Sequence, residues 1–453
     1  MKKFWAKYHF LLLVGILAFA FFSRLYQLNV PENYIFDEVY HVPTAKLMAL
    51  NDPRAFEWWH PPTEPNTAID WLHPPLAKYS QAIAIRVFGV NSFAWRISSV
   101  LFGVGVIILV YKLAHLLFKN KNLSLLAALL ASLDGLLLTQ SRIAMNDIHV
   151  TFFILLTLVF YLKFRKKTSG KLLLMTAFAA GLAMSSKWSG VFVLIPILLT
   201  EILSFSKKNI FNILIFLLVP PIVYISSYAQ MFAQGKSLIC LQKANITNTC
   251  YFEKVKLGPW QWEGYISHFA MLHRQIWWYQ THLEATHSYQ SRPGQWFLNL
   301  RPVWFYVKYA PEQIANIYAQ GNTTLFWAGD LTVGLTCLGL LWQSLGVLST
   351  KWRGIQVKWS RNLKGEAFLL VSYFSVWILW QFSPRIMFFY HYTPAVPLLC
   401  IILAYWLNKF PKLIWPVLLV IALNFILFYP NWTGLMVSSN WAKQIYFALK
   451  AWK

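Results

Sequence analysis

Apolar runs about twenty residues long recur along the whole chain, and no other feature limits its fold as tightly. A helix needs about 20 residues to cross the hydrocarbon of a bilayer, and in lipid every backbone amide must find its partner inside a helix or a closed barrel. The pattern predicts eleven spans, at 9–23, 93–115, 123–140, 147–163, 171–187, 190–206, 210–228, 326–349, 366–382, 387–406 and 412–429. Composition agrees: 57% of residues are hydrophobic and 12% charged, against about 25% charged in soluble domains. The expectation is an all-α polytopic membrane protein. Its parts are an N-terminal membrane module at 1–228, a long outer loop at 229–325 and a second membrane module at 326–453. Met1 to Phe22 has a basic start and an apolar run without a small-residue cleavage site, so it reads as the first span rather than a signal peptide.

Charge gives the sidedness. With the N-terminus and its Lys2, Lys3 and Lys7 in the cytoplasm, the inner loops are 119–122, 163–171, 206–209, 350–364 and 408–412. All are basic and none contains Asp or Glu, as the positive-inside rule requires. The net charge of +24 is therefore accounted for by membrane topology, and no nucleic-acid partner is expected. The outer side collects the titratable groups. Glu32, Asp37, Glu38, Asp52, Glu57, Glu64 and Asp70 all lie in the first outer loop, about 24–92. Both outer loops are dense in Trp and Tyr, which suit the headgroup layer. Interfacial helices are expected near 40–50, 76–88 and 265–285. Cys240 and Cys250 share the second outer loop, where a disulfide is one of two open readings, while Cys337 and Cys400 pack in apolar segments.

Several outer residues can carry chemistry. Asp37 and Glu38 either start a helix, where acids suit the dipole, or supply a general base. Adjacent helical residues diverge by about 100°, so Asp37 is the expected base and Glu38 a supporting or capping acid. His73 and Lys78 flank Pro74 and Pro75, and Lys78 either meets an anionic ligand or snorkels. Arg96, Arg142 and Asp147 sit at outer span ends, where an Arg96–Asp147 structural pair competes with a functional role. Asp37, Asp147 and His149 could hold a divalent cation, although their spacing is no metal motif. Lys187, Arg385, Tyr390 and His391 lie at further outer span ends, and the second loop adds His287, Ser288, Tyr289, Ser291 and Arg292. Together these make a cationic cleft at the membrane surface, suited to a lipid phosphate, with ordinary membrane lipids as the plainer ligand.

The ordered motifs "FDEVYHVPTAKLM", "HPPLAKY", "WRISSVLFG", "RIAMNDIHVTFF", "GLAMSSKWSG", "HSYQSRPGQWFLNLRPVWFY" and "SPRIMFFYHYTPAVPLL" resemble the protein O-mannosyltransferases, over about residues 35–430. The resemblance implies a GT-C membrane fold and inverting transfer of mannose, or a similar sugar, from a polyprenyl or dolichyl monophosphate. The acceptor would be a Ser or Thr hydroxyl of a protein leaving the translocation machinery. Asp37 would be the catalytic base, Glu38 the adjacent acid, and His73, Lys78, Arg96, Arg142, Asp147, Lys187, Arg385, Tyr390 and His391 would bind donor phosphate or sugar. His287, Ser291 and Arg292 would line the acceptor side. No cofactor is required, and a divalent cation is left open. The implied setting is a bacterial plasma membrane with the site on the extracytoplasmic face. Two features depart from the family: the 229–325 loop is too short for a MIR trefoil, and "RPGQW" has Pro-Gly where better-known relatives have Pro-Trp. A lipid or glycan acceptor is the alternative, and a transporter a distant one.

Overall fold

The computed structural model describes residues 2–204, 206–234, 236–241, 249–254, 262–352 and 361–452. The first half contributes helices α1 (Lys2–Leu25), α2 (Glu38–Ala49), α3 (Leu76–Phe88), α4 (Ser92–Phe118), α5 (Lys121–Ser132) and α6 (Gly135–Gln140). It continues with α7 (Asp147–Lys166), α8 (Gly170–Ser186), α9 (Leu194–Leu203), α10 (Lys207–Ser226) and α11 (Ala229–Ala233). Strands β1 (Lys236–Leu241) and β2 (Thr249–Lys254) form an antiparallel hairpin. The remainder holds α12 (Trp262–His282), α13 (Pro293–Trp296), β3 (Val303–Ala310), β4 (Gln313–Ala319) and α14 (Thr323–Trp352). It ends with α15 (Arg361–Ser375), α16 (Val396–Lys409), α17 (Ile414–Thr433), β5 (Met436–Ser438) and α18 (Ser439–Ile445).

Eight helical segments among the described residues are long and apolar enough to cross a membrane, and three shorter apolar helices accompany them. The short ones, Lys121–Ser132, Gly170–Ser186 and Trp188–Leu203, fall on the expected spans 123–140, 171–187 and 190–206. Among the described residues, then, eight of the eleven expected spans are long enough to cross by themselves and three correspond to shorter apolar helices. The break in 123–140 has a local cause: Asp134 turns its carboxylate onto the Leu137 amide (2.8 Å) and caps a new helix. In 190–206 the chain enters through a 3-10 turn, Trp188–Val193. Helices are present where the outer loops were expected to hold interfacial ones, as α2, α3 and α12, although α2 is largely buried within the protein.

Helices α4, α7, α8 and α10 pack in sequence, and α16 packs on α5 from the second half of the chain. Their facing surfaces carry fully buried Val106, Val110, Leu130, Leu155, Leu398 and Ile401. Burying each such side chain contributes roughly 1.5–3 kcal/mol relative to water. In lipid, close packing and internal hydrogen bonds take over much of that role.

Strands β3, β4 and β5 form a three-stranded antiparallel sheet that the all-α expectation did not include. Val303–Ala310 is rich in β-branched and aromatic residues, which favour strands. The reading of its aromatics as headgroup anchors masked that signal. In β1–β2 the register sets Cys240 opposite Cys250, but their side chains lie outside the described residues.

Candidate active site

Phe36 and Asp37 enter α2 through a strained turn. Phe36 has φ 47°, in the left-handed region that non-glycine residues rarely occupy. The ring is clamped: it stacks on Phe305 of β3 (4.4 Å between centroids) and meets Tyr390 edge-on (5.8 Å). That clamp fixes the backbone of the next residue. Asp37 is the N-cap of α2, yet its side chain makes no capping bond. Instead its Oδ2 accepts from Tyr390 Oη at 3.3 Å. Burial pushes the Asp37 carboxyl up to about 6; His41 and Lys187 pull the other way, and Asp147 and Asp70 push with it. A carboxylate tuned towards neutral pH and uncommitted to a cap suits a general base.

Lys187 and Asp147 complete this side. Lys187 Nζ lies 2.7 Å from Asp147 Oδ1 and 5.5 Å from the centre of the Tyr390 ring. An ammonium has three N–H groups, so the ion pair leaves donors over. The approach of Lys187 depends on Gly190. A Cβ there would lie 2.3 Å from the Ala183 carbonyl, so the turn after α8 closes only around glycine.

A second cluster adjoins through His41, one turn along α2 from Asp37. Asp70 is its centre. It accepts from His41 Nδ1 (2.7 Å), His73 Nδ1 (2.9 Å) and Lys78 Nζ (2.8 Å). Burial alone would raise Asp70, but Lys78 first, then His73 and His41, outweigh it and hold the carboxyl well below the usual range. Burial likewise takes His73 down to about 4 against the pull of Asp70, so its ring is neutral at pH 7. An ionised carboxylate only accepts, so both rings carry their proton on Nδ1 and present Nε2 elsewhere. The donor atoms of His41, Asp70 and His73 lie within 4.8 Å of one another, close enough to suggest a metal. The set does not fit a dication: the Lys78 ammonium already occupies Asp70, and both Nδ1 atoms are spent on the same carboxylate. The other suggested ligand set, Asp37, Asp147 and His149, is not assembled. His149 bonds Ser80 Oγ (2.9 Å) and the Met145 carbonyl (3.0 Å), while Asp147 holds Lys187.

Three sequence candidates serve the fold instead. All five N–H groups of Arg96 are taken, by Glu38 Oε1 and Oε2 and by the carbonyls of Leu28, Pro31 and Asn33. Glu38 is fully buried and also accepts from the Ile35 and Ala144 amides. Arg96 thus has no N–H left for a phosphate, Glu38 has no free oxygen for catalysis, and the structural partner of Arg96 is Glu38 rather than Asp147. Arg142 donates to the carbonyls of Arg24 and Tyr26 (both 2.7 Å) and ties down the end of α1.

The remaining candidates form the rim. Arg385 bonds Gln280 and lines a cavity of about 430 Å³ with Ser291 and Arg292. Ser291 is buried and bonds Trp296 Nε1 (2.9 Å), so it braces that wall. Arg292 is exposed at the start of α13. A Cβ on Gly294 would meet nothing within 4 Å, so the Pro-Gly departure reflects no steric demand. His391 packs edge-on against Trp380 (4.4 Å), and the exposed His287 meets Phe388 (5.2 Å). Asp70 and His41 were not singled out from the sequence. The available signals were the Asp70-x-x-His73 spacing and His41 four residues after Asp37.

Comparison with known proteins decides the family. A family model described as dolichyl-phosphate-mannose-protein mannosyltransferase matches residues 14–241. A second, the C-terminal four TMM region of protein-O-mannosyltransferase, matches residues 265–453. The chain belongs to the dolichyl-phosphate-mannose-protein mannosyltransferase family. Among similar members of this family is the polyprenol-phosphate-mannose–protein mannosyltransferase of Corynebacterium glutamicum, 25% identical over 82% of this chain and 76% of the relative. The Mycolicibacterium smegmatis protein of the same name is 24% identical over 97% of this chain and 92% of its own. The fold matches the Saccharomyces cerevisiae Pmt1–Pmt2 complex bound to its sugar donor at a TM-score of 0.77, with 16% identity over 98% of this chain and 92% of that one. ArnT from Cupriavidus metallidurans bound to undecaprenyl phosphate matches at 0.55, with 11% identity over 91% of this chain and 62% of that one. The architecture of this mannosyltransferase family member is therefore GT-C, with a small sheet added to its helices.

Proposed function

We propose that this chain transfers mannose from a polyprenyl monophosphate carrier to Ser or Thr hydroxyls of proteins crossing the membrane, with inversion at the anomeric carbon. One observation carries the reading: Asp37 holds a half-buried carboxyl raised to about 6 beside the Lys187–Asp147 pair and the Tyr390 hydroxyl. In this mechanism the acceptor hydroxyl attacks the anomeric carbon and Asp37 takes its proton. The bond from that carbon to the phosphate oxygen breaks, and the polyprenyl phosphate leaves with the electron pair. The spare N–H groups of Lys187, and Arg385 at the rim, offset the charge that builds on the leaving phosphate. A single carboxylate suffices for direct inversion, which agrees with Glu38 being fully engaged elsewhere. The names of the curated relatives support the donor and the protein acceptor. The basic inner loops support an N-terminus in the cytoplasm and a site on the opposite face, and the bacterial origin of the relatives supports a plasma membrane setting.

The test is transfer of radiolabelled mannose from polyprenyl-phosphate-mannose to a Ser/Thr-rich peptide by the purified protein, alongside Asp37→Asn at equal expression. Transfer by the wild type and at least a hundredfold less by the variant is expected. Unchanged transfer by the variant removes Asp37 as base. Label appearing in lipid or glycan but not in peptide moves the acceptor to the alternative class.

A further inference from the structure

A large cavity lies away from the active site. It measures about 950 Å³ and opens where the far ends of α4, α7 and α9 meet α15. Helix α7 begins at Asp147, in the active site, and its far end, at Arg165 and Lys166, lines this cavity. At 1.5 Å per residue that places Asp147 and Lys166 about 28 Å apart, at opposite ends of a helix long enough to span a bilayer.

The lining has two parts. Leu199, Leu203 and Phe368 give apolar walls, while Lys119, Arg165, Lys166 and Lys364 bring cations to the mouth. Arg165 is fixed by Glu201 (2.9 Å). That carboxylate also accepts from Tyr161 (2.8 Å), Asn209 (2.7 Å) and Asn212 (2.8 Å), so it has nothing left to offer the lysines. Among the described residues, Lys119, Lys166 and Lys364 make no ion pair. Neither the cavity lining nor the flanking segment 350–364 contains an Asp or Glu. Scattered positive charge would satisfy the positive-inside rule alone. Four cations gathered over apolar walls between helix ends make a receptor for a phosphate that carries a hydrocarbon tail.

We infer that this cavity binds an anionic phospholipid, its phosphate held by Lys119, Lys166 and Lys364 and its acyl chain along Leu199 and Phe368. The inference is independent of the sugar-transfer reading. The purified full-length protein in neutral detergent is titrated with phosphatidylglycerol, phosphatidylcholine or glycerol phosphate, and bound lipid is counted by native mass spectrometry. Phosphatidylglycerol is expected to bind at least about tenfold more tightly than phosphatidylcholine. The triple variant Lys119→Ala, Lys166→Ala, Lys364→Ala changes exposed side chains only and is expected to lose that preference. Leu199→Trp, which sets a bulkier ring on the wall assigned to the acyl chain and keeps the charges, is expected to lose it too, and Lys308→Ala to retain it. Equal binding of the two lipids overturns the inference. So does glycerol phosphate binding as well as the lipid, or a triple variant that keeps the preference.

Discussion

If Asp37 is the base, the rate must follow its ionisation. Only the carboxylate can take the acceptor's proton, so kcat/KM falls as pH drops through about 6. At that value about 9% of the carboxyl is ionised at about pH 5 and about 91% at about pH 7, a rise of about tenfold. A carboxyl of ordinary acidity would change the rate by under about 10% over the same interval. Lys187 sharpens the test. Its positive charge draws the Asp37 proton affinity down, and its pairing partner Asp147 pushes it up. Lys187→Met removes the first effect and leaves the second, so both changes move the midpoint upward. A shift of about one unit is the order expected for one nearby charge. Near pH 6.5 it lowers the rate to about a quarter of the variant's own plateau, about threefold below the wild type's normalised value. The assay is mannose transfer at subsaturating acceptor, from about pH 5 to 8, each profile normalised to its alkaline limit. A flat wild-type profile, or a Lys187→Met midpoint that stays or moves to lower pH, refutes the reasoning.

Other outcomes follow from the same geometry. Glu38→Gln leaves Arg96 buried with a weakened partner and should cost about 3–5 kcal/mol, read as a lower melting temperature and loss of monodisperse protein. Asp70→Asn should destabilise similarly by stranding the Lys78 ammonium, and adding Lys78→Met should restore much of the loss in a thermal unfolding assay. EDTA should leave transfer unchanged, because Lys78 and His41 occupy one oxygen of Asp70 and His73 the other, leaving no carboxylate oxygen for an ion; a metal-restored loss of activity contradicts this. Gly190→Ala should cut transfer sharply by displacing Lys187, whereas Gly294→Ala should be silent in the same assay.

The sequence made the membrane architecture legible because lipid enforces a simple rule: long apolar runs separated by charged loops of alternating character. It also marked Asp37, Lys187, Asp147, Tyr390 and Arg385, which the fold brings to one face. What it could not supply was partner choice. Arg96 and Asp147 look like a pair along the chain, and only packing shows that Arg96 turns to Glu38 while Asp147 takes Lys187. Asp70 was invisible as a hub because its three partners come from two helices and a loop. The break at Asp134 and the sheet were missed for a related reason. A capping acid inside an apolar run, and aromatic residues in an outer loop, each have a commoner reading than the one tertiary structure selects.

The clamp on Phe36 has a consequence for assembly. The rings that hold it come from Phe305 and Tyr390, and the hydroxyl on Asp37 reaches it across 353 positions of chain. A polypeptide ending before the second family segment would carry the aspartate without the wedge that aims it. Co-expression of two separately inert pieces that reunite to restore turnover would be the signature of such long-distance tutelage.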